Sequence, residues 1–113
     1  MRKQQLENAA FDVATQVRAV EDSIDSALGE IAELQGRMIF ARSIAGVGIA
    51  TGHDSLQHLA NALQGLVSAR GGMANCHAAL VNAKESVPGL RTGALGDTDD
   101  CPKNPMAELR VVA

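Results

Sequence analysis

The chain has 113 residues, 46% of them apolar and 20% charged, with a formal net charge of −3 and a mean hydropathy of +0.01. That is the length of one domain, with enough apolar material to fold, which excludes wholesale disorder. There is no Trp, no Tyr and only Phe11 and Phe40, and the ten Lys and Arg are scattered from Arg2 to Arg110, which excludes a base-stacking platform and a basic phosphate-binding stripe. Without rings that bury ~150–250 Å² each, a core has to be built from Ala, Val, Ile, Leu and Met.

The first predicted element is a long helix. Leu6, Ala10, Val13, Val17, Val20, Ile24, Ala27, Ile31, Leu34, Met38, Ala41 and Ala45 alternate spacings of four and three without a break. At this composition such a run arises by chance about once in ten thousand registers. The residues between are mostly Glu, Asp, Gln, Arg and Ser, and no proline precedes Pro88. The spacing predicts one helix over about residues 4–46, roughly 60 Å long at ~1.5 Å per residue. A narrow apolar seam of this kind needs a partner helix. Four of its positions are Ala, which lets two axes approach toward the short end of the usual ~8–10 Å.

Gly46, Gly48 and Gly52 then break the helix and predict a turn over 47–53. Asp54 with Gln57, or Thr51 with Asp54, supplies a capping signal for a second helix over about 54–86. Leu59, Leu66, Met73, Leu80 and Val87 lie seven apart. Leu56, Leu63, Arg70, His77 and Lys84 form the companion row, so the seam is apolar in its first half and mixed in its second. Gly71-Gly72 sits mid-helix, the mark of a kink or of a close approach. Pro88-Gly89 ends the segment.

A short loop between two long helices makes them antiparallel neighbours. The predicted fold is therefore all-α: a long, coiled-coil-like helical hairpin over residues 1–86. Apolar residues beyond the seam, among them Phe11, Leu28, Ile39, Phe40 and Ile44, predict that two hairpins dimerise into a four-helix bundle. Residues 87–113 hold all three prolines and the acidic Asp97, Asp99 and Asp100, and read as a Pro/Gly/Asp-rich tail. Leu90, Leu95, Met106, Leu109 and Val111 are its candidates for packing along the helices.

Motifs for chemistry are sparse. The glycine loop lacks a preceding strand and fits neither Walker A nor GxGxxG. His53, Asp54 and His58 include one i, i+4 pair at metal-ligand spacing, the best of weak metal candidates. Cys76-His77 are adjacent, so they point to different sides of a helix and do not make a nucleophile pair. The carboxylates Glu21, Asp22, Asp25, Glu30 and Glu33 lie off the seam, and no Glu-x-x-His accompanies them, which argues against a di-metal bundle. Residues 96–102 resemble an Asp-rich calcium repeat in one stretch only and lack the EF-hand glycine and glutamate. The length and two-helix layout are similar to type VII secretion substrates, but the Trp-x-Gly turn and the Tyr-containing export signal of that family are missing here.

The functional expectation is a non-enzymatic interaction protein with no catalytic residues, no cofactor and no nucleic-acid partner. It is expected to form a homodimer and to bind a protein through Phe11, Phe40, Ile44, Val47 and Ile49, with Arg70, His77 and Lys84 setting register and specificity. The alternatives are a small-ligand or metal-binding bundle, and a membrane-surface protein using the apolar loop tip. No stretch reaches the ~18 apolar residues of a spanning helix, and the acidic first helix argues against anionic lipid. With two cysteines, Cys76 and Cys101, and no secretory signal, the expected location is the cytoplasm.

Overall fold

The computed structural model describes residues 2–89, and these are all-helical, with no strand among them. Helix α1 runs Arg2–Ala45 and α2 runs His53–Lys84. The readings placed on the tail, including the 96–102 stretch, Cys101 and the packing of Leu90 through Val111, lie outside the described residues.

Helix α1 persists for 44 residues because nothing in it breaks the ladder. Its polar side chains also satisfy themselves along the helix. Thr15 and Ser23 donate to the carbonyls of Phe11 and Ala19, both at 2.9 Å. Gly46 stops it: at φ +67° it takes the left-handed conformation, and its N–H reaches the carbonyls of Arg42 at 3.1 Å and Ser43 at 3.2 Å. The Arg42 guanidinium donates to the Val47 carbonyl at 3.2 Å, placing a cation at the negative end of the helix dipole.

The loop is held by short-range backbone bonds, from Thr51 N–H to Gly48 and from His53 N–H to Ala50. Gly52 turns the chain at φ +79°, and its carbonyl accepts from the Leu56 N–H at 3.3 Å to close the first turn of α2. Among the described residues, neither Thr51 nor Asp54 makes a side-chain capping bond. Here the expected cap is replaced by glycine geometry, with Asp54 left in the first turn of α2. At the far end, the N–H groups of Glu85, Ser86 and Val87 each bond to the carbonyl three residues back, tightening the last turn before Pro88.

The chain divides into two compact units. In the unit formed by Ala19–Met73, the second part of α1 and the first part of α2 lie side by side across the loop. Val20, Ile24, Ala27, Ile31 and Met38 of α1 are half-buried, as are Leu56, Leu59, Leu66 and Met73 of α2. The Arg70 Nε to Asp25 Oδ1 ion pair, at 2.7 Å, ties the two segments together. Gly71 and Gly72 continue α2 without interruption, and a Cβ at either would meet nothing within 4 Å, so the pair does not mark a close approach. Among the described residues, the other unit joins residues 2–18 to residues 74–89. In it Leu6, Val17, His77, Leu80 and Val81 are half-buried, Ala10 is 7% exposed and Lys84 only 2%.

Ala10 is the only buried apolar residue among those described. The seam positions therefore form half-covered stripes rather than a closed core. Four of the twelve, Val13, Leu34, Ala41 and Ala45, are exposed.

Candidate functional site

The richest surface lies at the loop end of the Ala19–Met73 unit. Three segments meet around an open cleft of about 570 Å³. Helix α1 contributes Met38, Ile39, Ala41 and Arg42; the loop contributes Val47, Ile49, Thr51 and Gly52; α2 contributes His53, Ser55 and Leu56. The lining is mostly aliphatic. Its volume falls within the ~300–1,000 Å³ typical of ligand and partner sites.

Apolar side chains toward this end of the unit are unusually bare. Ile49 is 81% exposed, Ile44 72% and Phe40 67%. Of these three only Ile49 lines the cleft, while Phe40 and Ile44 lie on another face of α1, so this end carries more than one bare apolar surface. Covering an Ile or Phe fully is worth ~1.5–3 kcal/mol. The local reason for the group is the left-handed stop at Gly46. It ends α1 at Ala45, so Val47 and Ile49 fall in the loop rather than on a helix face.

The electrostatics of this end differ from the rest of α1. Residues 34–53 carry Arg37 and Arg42 but no Asp or Glu, whereas residues 2–33 carry seven carboxylates. Arg37 is paired with Glu33, Nε to Oε1 at 3.0 Å, along the exposed side of the helix. Arg42 sits in the cleft wall, and its one side-chain bond is to Val47. Further along the unit, the Arg70 guanidinium is held above its ordinary pKa. The hydrogen bond it donates to Asp25 is the largest cause, followed by the charge of Asp25, and Glu21 adds in the same direction.

Of the residues singled out as partner-binding, Val47 and Ile49 line the cleft, while Phe40 and Ile44 stand exposed on α1 outside its lining. Phe11 belongs to the other unit and is 62% exposed. Arg70 lies on α2 against Asp25. His77 is half-buried and Lys84 buried in the other unit. Of the metal candidates, His53 lines the cleft, but Asp54 and His58 do not. Among the described residues, no three His, Cys, Asp or Glu side chains are grouped to hold a metal ion. Cys76 is a free, exposed thiol.

Sequence reasoning passed over Met38, Ile39, Arg42 and Leu56 as site residues, and Asp25 as the partner of Arg70. The numbering carries the signal only once the register across the loop is known. In a hairpin about the loop, opposed residues have a constant sum: Asp25 and Arg70 give 95, and Met38 and Leu56, which share the cleft, give 94. Among the described residues, no helix is long and apolar enough to cross a membrane. No protein-family model, curated protein or solved structure matches the chain.

Proposed function

We propose that this chain is a non-enzymatic helical interaction protein of the cytoplasm. It associates with itself through its bare helix faces, two hairpins making a four-helix bundle, and binds another macromolecule at the loop end. The observation that carries the reading is the burial pattern. Ala10 alone is buried among the apolar residues described, while ten large apolar side chains, from Phe11 to Val67, are exposed. A domain of this length needs far more apolar burial to offset the entropy of ordering its chain. A second copy supplies that burial in the simplest way, by a symmetric contact.

Size-exclusion chromatography with light scattering at micromolar concentration tests the self-association. Twice the 11.8 kDa chain mass is expected, and a stable, folded monomer refutes it. Ile49→Asp tests the loop end. The variant is expected to keep its mass and helicity but lose capture of its partner from the native host. Undiminished capture removes the loop end from the function.

A further inference from the structure

We infer that a second copy of this chain seats on one flank of the Ala19–Met73 unit, the side that carries Asp25 and Arg70, about a two-fold axis that runs along the helices and leaves both loops at the same end. The inference rests on the reading of the chain as self-associating and names the surface and the symmetry of that contact.

The ion pair fixes which rows share the flank. Asp25 and Arg70 touch at 2.7 Å, so the heptad rows that run through them lie alongside each other. Toward the loop, the α1 row continues through Ala32 and Ile39, and the α2 row through Leu63 and Leu56. Each opposed pair sums to 95, and Ile39 and Leu56 do meet at the loop-end cleft. Ile39 and Leu63 are exposed, as is Val67, which lies between Leu63 and Arg70 on the same side of α2. One turn to either side of Ala32 stand Gly29 and Gly36, with open space where a Cβ would be. The flank therefore has a raised aliphatic strip on α2 beside a shallow trough on α1. Beyond the ion pair none of these residues is charged, as in the centre of a protein contact.

A second copy complements this pattern in one orientation. With the axis along the helices, α1 of one copy lies on α2 of the other at equal levels. Leu63 and Val67 then enter the trough of the other copy at Ala32 and Gly29, and Arg70 meets the other copy's Asp25. The two ion pairs join, with four charges alternating in sign. With the axis across the helices, α1 runs against α1, so Asp25 faces Ile39 and Arg70 faces Leu56, charge against aliphatic. A different protein would have to reproduce the trough, the strip and both charges at matching levels, which this chain already carries. The area is sufficient for a weak dimer. From Asp25 to Ser43 the flank is ~27 Å long at ~1.5 Å per residue and ~20 Å across two helices. That gives ~550 Å² per copy and ~1,100 Å² for the pair, at the low end of specific interfaces.

Light scattering of the full chain up to ~100 µM, together with a spin-label distance, tests this. Val67→Glu and Ala32→Glu place a charge in the contact and are each expected to weaken the dimer at least ~10-fold. Phe40→Glu and Leu34→Glu, on other sides of α1, are expected to change it less than ~2-fold. A nitroxide on Ala50→Cys, with Cys76 and Cys101 replaced by Ser, is expected to report less than ~30 Å between copies, because both loops lie at one end. The crosswise axis places the loops ~50 Å apart at ~1.5 Å per residue. This distance is read with the flank unaltered, so it decides the symmetry even where a Glu variant unfolds. A distance near ~50 Å, or a dimer that survives both Val67→Glu and Ala32→Glu, overturns the inference while self-association stands. So does a dimer that Leu34→Glu dissociates and Val67→Glu does not, which assigns the contact to the opposite flank. A wild-type chain that stays folded and monomeric at ~100 µM, a concentration where a Kd in the micromolar range gives mostly dimer, overturns the self-association as well.

Discussion

Arg70 and Asp25 illustrate how much register can depend on single residues where little is buried. Their side chains are 59% and 48% exposed, so the pair is open to solvent and to salt. Its worth lies in position, because a one-residue slip between the helices separates the charges. Asp25→Asn is therefore expected to lower the thermal midpoint at low ionic strength and to erase most of the salt dependence. Thermal melts of both proteins between ~0.01 and ~1 M salt, where the screening length falls from ~30 to ~3 Å, check this. The pair adds no pH dependence near neutrality. The folded pKa of Arg70 is raised, so its contribution is fully present at every pH below the ordinary arginine value and is lost only above it. Neither the pairing nor its partner was readable from Arg70 alone, because a lone Arg in an apolar row is compatible with any carboxylate the register brings near.

At the scale of elements, the glycines separate into two kinds. Gly46 and Gly52 have positive φ, where a side chain is strained, and Gly71 and Gly72 lie in regular helix with open space at the Cβ position. Gly46→Ala is expected to cost ~1–2 kcal/mol, the price of a left-handed alanine. Gly71→Ala and Gly72→Ala are each expected to stabilise α2 by ~1 kcal/mol, since Ala loses less backbone freedom on folding. Urea unfolding of the three variants measures both signs. A loss of stability at Gly71 or Gly72 would mean that another chain packs against that surface. The two helices and the glycine break were legible because apolar spacing and glycine content act on neighbouring residues. The mode of capping was less so. Thr51 and Asp54 have the right chemistry for an N-cap, but the positive φ of Gly52 set the entry of the chain without them.

At the scale of the whole molecule, the sparse burial has a thermodynamic consequence. Helices stabilised by a second copy gain stability with concentration by mass action. The melting temperature is expected to rise by several degrees between ~1 and ~100 µM chain, and helicity to fall on dilution. Circular dichroism across that range measures it, and a concentration-independent melt would place all the stabilising contacts within one chain.

The sequence by itself determined that the chain is helical, that two helices flank a glycine loop, and which positions form the apolar rows. These follow from local periodicity and from the conformational freedom of glycine. Tertiary structure alone decided which of those apolar residues stay bare, that Asp25 receives Arg70, and that Met38, Arg42, Ile49 and Leu56 share one cleft. Such facts depend on the register of one helix against the other. Register is set by the sum of many weak contacts across the loop, and no single stretch of sequence contains that sum.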